Sequence, residues 1–438
     1  MAKKYPNFSA TNVINTVSAA VNKVYNYNFP AVTESTFSNF AEQLTLAPDA
    51  VRNAWHETLV NLVGLQKVKN ARRFESPFRK LRGEDIKTFD VQLLAMDLMR
   101  VKNYDPRNDS VDFFEDEPVD IEAQYLTKPL KLQTAVSLVE DELYGALVSE
   151  ESFLRYIDGI EASLYNTMEM TDVINFKELI KQNIAEGNIR LETAAKPVDQ
   201  TTALAFSKRL KVLVNDLKAE MAADYNLSHM YTITPDGEGI LITDNETGAT
   251  MDTYALAWAF NKSFVELTEN GQGINVKSDS FGDVYALYAD REFFEIHNIL
   301  GFPKTAQQYF GNSLQLKRWL HYWTLYAVSF FSNAIAFIPP ASIGITAATL
   351  DTPDTIKAFN KGTYGKAIVK TITTASGKYG DKYGTFSISG NNSTKTVIDP
   401  VSGKFEIGED ETATSLTVTW TSHLDNTVTA NMTLTINQ

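Results

Sequence analysis

Apolar residues recur at intervals of three and four near the start of the chain. Val51, Trp55, Leu59 and Leu62 follow this spacing, which is typical of one face of an amphipathic helix. We therefore expect residues 1–66 to form a polar arm followed by a helix.

A longer stretch with the same spacing follows a residue that can cap a helix, Ser149. Its apolar positions are Leu154, Ile157, Ile160, Leu164 and Met168. The pattern predicts a long helix over about 149–188, with an interruption near Thr171 and Asp172 left open. An unbroken helix to Ile184 would extend roughly 50 Å at 1.5 Å per residue.

A turn-forming cluster lies before this helix, at Asp105, Pro106, Asn108 and Asp109. Residues 91–101 and 119–136 flank it with mixed apolar and polar positions, as strands often do. The simplest prediction is a long, exposed β-hairpin over about 91–136.

Helix and strand patterns alternate over about 200–300, which predicts a mixed α/β module. After Ile345 the chain becomes rich in Thr, Ser, Gly and Asn, and apolar residues alternate with polar ones, as at Leu416, Val418 and Trp420. Short strands with frequent turns are typical of a β-sandwich, with Trp420 as the expected centre of its core. The Pro339–Pro340 pair precedes this change and marks a linker.

Size and composition place the chain among folded, multidomain proteins. It has 438 residues, of which 44% are hydrophobic and 21% charged, and a single core rarely grows beyond about 250 to 300 residues. The net charge of −14 argues against tight binding to phosphate backbones. The absence of cysteine excludes disulfides and thiolate metal sites.

Charge is unevenly divided around the predicted hairpin. Residues 67–107 contain eleven Lys or Arg against six acids, whereas 109–122 contain seven acids and no base. Such a division suggests that the acidic segment pairs with the basic one of a second copy; the alternative is a solvated loop. The candidate interface residues are Asp109, Asp112, Glu115, Asp116 and Glu117 on one side and Arg72, Arg73, Arg79 and Arg82 on the other.

Trp319 to Ile338 is a run of twenty residues without a formal charge, the length of a membrane-spanning helix. Its polar members, among them His321 and Asn333, favour a buried core segment, and the membrane span is the weaker alternative.

Residues that could carry catalysis do not form a complete motif. His56 and Glu57 begin a zinc-protease motif, but Val60 stands where its second histidine belongs. Asp290, Glu292, Glu295 and His297 could surround a metal or act as acid and base, although a solvated helix face explains them more simply. Gly362 and Gly377 are more typical of hairpin turns than of phosphate loops. We therefore expect no catalytic, cofactor-binding or metal-binding residues.

The predicted order of arm, hairpin, long helix, α/β module and late apolar segment resembles the Hong Kong 97-type capsid fold of tailed bacteriophages. The stretch Leu316–Phe337, with its Trp residues followed by Asn333, Ala334, Ile335 and Ala336, resembles the closing segment of these capsid proteins. The tail, with Ser387–Asn392, Gly403–Ile407 and Leu416–Ser422, resembles bacterial immunoglobulin-like domains of group two.

The resemblance implies an α+β major capsid protein of a small, short-tailed phage, made in the host cytoplasm and located in the virion. Its expected divisions are an N-terminal arm and helix (1–66), a capsid core (67–343) and an outer immunoglobulin-like domain (344–438). Within the core, 149–188 would be the spine helix, 200–300 the axial domain and 316–340 the closing peripheral strand.

The implied partners are the subunit itself, in pentamers and hexamers, together with portal and scaffolding proteins. Packaged DNA would be contacted only non-specifically, no membrane is involved, and the outer domain could reach the host surface. The alternative function is an adhesin on a bacterial surface or phage tail, with the tail domain as its binding module.

Overall fold

The computed structural model describes residues 10–65, 74–98, 121–139, 150–235, 237–256, 273–278, 280–301, 304–310, 315–353 and 358–437. Within these residues the chain is an α+β protein. The residues up to 343 are called the body and those from 344 onward the tail, and their strands form separate sheets.

Three helices form an N-terminal layer: α1 (Ala10–Tyr25), α2 (Phe37–Leu46) and α3 (Asp49–Leu65). Trp55 of α3 is fully buried among them, and its Nε1 donates to Ser18 Oγ at 3.1 Å. The expected helix around Trp55 is therefore present. The arm expected before it is helical from Ala10 onward, because apolar residues of α1 face the same core.

Helix α4 (Glu150–Ala185) is a single 36-residue element, roughly 54 Å long at 1.5 Å per residue. It is unbroken at Thr171, whose hydroxyl donates to the Thr167 carbonyl at 2.7 Å. Beyond its end, Gly187 has φ +71°, a conformation that glycine adopts without strain and other residues rarely adopt. The long helix predicted from the sequence is thus confirmed, without the interruption.

A five-stranded sheet lies beside α4 in the order β4 (Arg190–Thr193), β11 (Ala334–Ile338), β7 (Ala286–Asp290), β5 (Gly239–Asp244) and β6 (Gly273–Val276). One face packs on α4, and the other packs on α5 (Gln200–Ala219). Alternate residues of β11 separate the two cores: Ala336 and Ile338 face α4, whereas Phe337 contacts Phe206 of α5. A short helix, α6 (Asn245–Thr250), follows β5.

A second sheet is built around the long strand β10 (Gln315–Val328), which pairs with β3 (Leu130–Val139), β8 (Phe294–Asn298) and β9 (Lys304–Phe310). Leu320 and Tyr322 of β10 pack against Leu164 of α4. The charge-free run therefore comprises most of β10 and all of β11, two strands in two different sheets. The single closing strand expected over 316–340 is wrong, because the chain leaves one sheet after Val328 and enters the other at Ala334. No helix in the described part of the chain is long and apolar enough to cross a membrane.

Two strands, β1 (Val91–Met96) and β2 (Ile121–Leu126), pair antiparallel and form the stem of a hairpin. The strand that follows them, β3, pairs with β10 and does not prolong the hairpin. The residues between the two stem strands, 99–120, lie outside the described residues.

The tail is an all-β unit of three small sheets. Its strands are β12 (Ile345–Asp351), β13 (Ala358–Asn360), β14 (Tyr364–Lys366), β15 (Ile368–Thr374), β16 (Gly384–Ser389), β17 (Val397–Ile398), β18 (Lys404–Glu406), β19 (Ser415–Ser422) and β20 (Thr429–Asn437). Trp420 is fully buried at its centre together with Leu416, Val418 and Leu434. The predicted alternation along β19, and Trp420 as a core residue, are confirmed.

The tail is docked on the edge strand of the five-stranded sheet. Asp381, which is fully buried, accepts a hydrogen bond from the Leu191 backbone N–H at 2.7 Å. His423 Nε2 lies 3.0 Å from the Leu191 carbonyl, and Tyr383 Oη donates to the Asn188 carbonyl at 3.1 Å. Side chains of the tail thus bind backbone groups that a further strand would otherwise pair with.

Candidate functional site

The hairpin stem has two chemically different faces. Residues of the inner face, such as Gln124 and Leu126, contact the body, where Gln124 Nε2 donates to the Val328 carbonyl and Gln124 Oε1 accepts from the Phe330 N–H, both at 2.8 Å. This double hydrogen bond fixes β2 to the end of β10.

The outer face of the stem is mainly apolar, and its polar member, Gln92, donates to Tyr125 Oη at 3.0 Å. Leu94, Met96 and Tyr125 are 60%, 67% and 66% exposed, and Ile121 is also exposed. They lie on one side because successive strand residues alternate between faces and Met96 is paired with Ile121. Exposed apolar residues grouped in this way commonly mark a protein contact.

A shallow groove of mixed polarity follows the solvent side of α4. Small residues line one end of the groove, Asn166 and Thr167 its middle, and Met170 and Ile174 the other end. Both of these large side chains are about half exposed. Gly159, Ala162 and Ser163 leave room for an incoming side chain. The chain therefore presents an apolar ribbon and a groove on separate elements.

Most of the charged residues predicted from the sequence cannot be placed. Asp109, Asp112, Glu115, Asp116, Glu117, Arg72 and Arg73 lie outside the described residues. Arg79 is exposed, and its Nη1 lies 3.5 Å from Oε1 of Glu75, four residues before it, so Arg79 is accessible to a partner.

Arg82 has a partner within its own subunit. Its Nη2 lies 3.1 Å from Oδ2 of Asp172 in α4, and both side chains are largely buried. Tyr326 Oη donates to the other oxygen of Asp172 at 2.7 Å, and burial together with this carboxylate raises the pKa of Tyr326. The three residues join the segment before β1, helix α4 and strand β10, a structural role that the sequence analysis did not foresee.

The acidic residues near His297 do not lie on a helix face, as the sequence suggested, but on β7, β8 and the turn between them. His297 Nε2 lies 2.6 Å from Glu295 Oε2 and its Nδ1 lies 2.9 Å from the Glu84 carbonyl. The Glu295 hydrogen bond raises the pKa of His297. The pair holds the chain at Gly83 against β8, where an added Cβ would lie 2.6 Å from the imidazole.

Within the described part of the chain, His, Asp and Glu side chains nowhere gather in a group of three or more that could hold a metal. The glycines proposed as hairpin turns, Gly362 and Gly377, both have positive φ values, as residues in tight turns often do.

Sequence reasoning missed the contacts between the stem and the tail. Asp97, just after β1, pairs with Lys404, and Glu122 of β2 pairs with Lys366. Glu122 belongs to the acidic run expected to seek a second copy, yet its partner lies in the same chain. The only signal available was that both lysines lie in a polar tail.

Comparison with known proteins gives concordant matches. Residues 14–338 match the family described as Phi29-like phage major capsid protein, so the matched region ends with β11, before the tail. The major capsid protein of Bacillus phage GA-1 is 23% identical over 337 residues, which cover 75% of this chain and 70% of that protein.

The major capsid protein of Bacillus phage PZA is also 23% identical, over 67% of this chain and 65% of that protein. Among solved structures, the capsid of Staphylococcus phage Andhra has a similar fold, with a TM-score of 0.50, 11% identity and coverage of 63% of this chain and 87% of that one.

Proposed function

Because this chain belongs to the Phi29-like phage major capsid protein family, we propose that its body has the Hong Kong 97-type fold and assembles through the β1–β2 hairpin. The chain is a structural protein of the virion capsid. The match over residues 14–338 decides between this function and the adhesin alternative, and we assign no catalytic residue.

In this proposal, residues 67–343 form the capsid core. Helix α4 is the spine, the five-stranded sheet with α5 is the axial domain, and the sheet around β10 is the peripheral domain. The fold similarity to the Andhra capsid supports this division. Subunits would form the pentamers and hexamers of an icosahedral shell, assembled with portal and scaffolding proteins around DNA that is held only non-specifically.

The observation that carries the role of the hairpin is the apolar outer face of its stem. Leu94, Met96 and Tyr125 contact water in the single chain, and burying them against a second copy would be favourable by about 25 cal/mol per Å² of apolar surface. The groove along α4 of that second copy, with Met170 and Ile174, is the receiving surface we propose.

Charge would then fix the register of the hairpin tip. The acidic residues at 109–117 are proposed to meet Arg72, Arg73 and Arg79 of the neighbour. Arg82 no longer belongs to this set, because it already pairs with Asp172.

The tail, 344–438, is proposed to be a group-two immunoglobulin-like domain on the outside of the shell, where it could contact the host surface. Its all-β architecture, with several short strands around a core that contains Trp420, supports this assignment.

The test replaces Leu94 and Met96 together by Asp. Both side chains already face water, so the subunit should keep its circular dichroism and melting temperature, whereas negative-stain microscopy should show loss of closed shells. Val397→Asp, at a tail position that is 51% exposed, is the control and should assemble. Normal shells from the double variant would remove the hairpin stem from the assembly contact.

A further inference from the structure

Two lysines of the tail face each other in an arrangement that would be unfavourable by itself. Lys366 of β14 and Lys404 of β18 are direct partners in an antiparallel pair. Their side chains are only 12% and 25% exposed, and like charges directly opposite each other on neighbouring strands destabilise a sheet. The pair therefore needs negative charge nearby.

The hairpin stem supplies that charge as a matching pair of acids. Lys404 Nζ forms an ion pair with Asp97 and Lys366 Nζ forms one with Glu122, and these carboxylates are 8% and 28% exposed. Glu122 is opposite Ala95 in the stem, so Asp97, two residues further along the same strand face, lies beside it. Each side of the contact thus carries two like charges that the other side neutralises.

The loop after α5 completes the contact from the body. Lys366 Nζ also donates to the Ser228 carbonyl at 2.7 Å. Asp97 Oδ1 accepts from the backbone N–H of Leu98 at 2.9 Å and of Tyr231 at 3.3 Å. Burial alone would raise the pKa of Asp97, but the Lys404 hydrogen bond and these backbone donors outweigh it and hold that pKa below its usual range.

The contact lies at a position along the hairpin from which it can control the direction of the hairpin. Gln124 fixes the stem to the body next to β10, whereas Asp97 and Glu122 lie further toward the tip. A hairpin that is held only near its base, at Gln124 and Leu126, can pivot there. A second attachment, made by a different unit of the chain, fixes the direction in which the hairpin leaves the body.

We propose that the tail is a clamp whose Lys366–Lys404 pair holds Asp97 and Glu122 and so sets the direction of the hairpin. This role rests on the proposed function only in that the hairpin is taken to be the element that contacts a neighbouring subunit. The tail then orders the hairpin of each subunit before the hairpin contacts a neighbour, which reduces the entropy lost when the contact forms.

The test is a charge reversal followed by a charge swap. The full chain is used as unassembled subunits. With Lys366→Glu and Lys404→Glu together, two new carboxylates face those of Asp97 and Glu122, and the four repel one another. We expect amide hydrogen exchange in 91–98 and 121–126 to accelerate at least tenfold, while β16, β19 and β20 exchange as before. Adding Asp97→Lys and Glu122→Lys restores opposite charges and should return part of the slow exchange, because the hydrogen bonds of Asp97 to Leu98 and Tyr231 stay lost.

Lys370→Glu is the matched control, because Lys370 is a tail lysine whose partner, Asp351 at 2.7 Å, lies in the tail itself. It should leave exchange in the hairpin unchanged. Slow exchange of the stem in the reversed variant would overturn the clamp, as would fast exchange that the four-residue swap does not slow.

Counting shells in the same variants keeps the two proposals apart. A loosened stem together with failed assembly supports both. A loosened stem together with normal shells supports the clamp and shows that assembly does not need the ordered hairpin. The contact of the hairpin with a neighbour is tested separately, by the shells of the Leu94→Asp, Met96→Asp variant.

Discussion

Glu411 organises two loops of the tail through a single buried carboxylate. It accepts hydrogen bonds from the backbone N–H groups of Asn392, Ser393, Thr412 and Ala413 at 2.9 to 3.3 Å and from Thr396 Oγ at 2.6 Å. Burial would raise the pKa of Glu411, but these donors outweigh it and lower the pKa to about 2. The side chain thus accepts the hydrogen bonds of backbone N–H groups in two irregular segments and holds these segments together.

Glu411→Gln should destabilise the tail by about 1 to 3 kcal/mol, because the amide NH₂ would face donors that the carboxylate accepts from. Amide exchange over 391–413 measures the effect. Glu409→Gln, an exposed neighbour, is the control and should behave as the unmodified chain does.

The pH dependence of this difference has a defined sign. Because the pKa of Glu411 is lower in the folded state than its ordinary value of 4.5, its contribution is present above about pH 4.5 and is lost as the pH falls through about 2. The gap between Glu411→Gln and the unmodified chain should therefore narrow on acidification. A gap of constant size from pH 7 to pH 2 would show that the ionised carboxylate is not what stabilises the loops.

Elements with a clear period were predictable from the sequence, and elements buried on both sides were not. Helix α4 and strand β19 each have one buried side and one solvated side, so the spacing of their apolar residues revealed them. Strand β11 is buried at all five positions because it lies inside a sheet covered on both faces. Its continuous apolar run, joined to β10, therefore resembled a membrane segment, since no polar face showed where one strand ended.

Trp420→Ala tests the prediction that Trp420 of β19 lies in the core of the tail. Removing a fully buried indole should cost roughly 3 to 5 kcal/mol through lost contacts and the cavity left behind. Thermal unfolding followed by amide exchange should show β16, β19 and β20 opening while α4 and the five-stranded sheet stay protected. Thr417→Ala, on the other face of β19, should have little effect, and equal losses from both changes would contradict the placement of Trp420.

The contacts that join the tail to the body connect residues far apart in sequence. Lys366 and Glu122 are separated by 244 positions, and Lys404 and Asp97 by 307. Neither pair forms a motif, and each lysine alone looks like an ordinary surface charge. The sequence could therefore indicate two units and a linker, but not that the second unit is packed on the first through buried polar groups.

From the sequence alone the tail is expected to fold independently and to be dispensable for closure of a shell. The structure gives a reason to expect otherwise, because β4 is an edge strand whose free side is covered by the tail. Gly187 is packed so closely against Asp381 that an added Cβ would lie 3.0 Å from its Cα. The Gly187 carbonyl also accepts from the Lys382 N–H at 3.1 Å.

Deleting residues 344–438 should thus lower the melting temperature of the body, because the hydrogen bonds that the tail makes to Leu191, Asn188 and Gly187 are lost. The truncated body should also self-associate, because a bare strand edge pairs readily with another. Lys370→Glu in the full chain is the control: it changes a tail side chain that pairs with Asp351 of the tail and not with the body, so the melting temperature should stay that of the unmodified chain. A truncated body that is monodisperse, as stable as the full chain and able to close shells would show that the tail is an independent appendage.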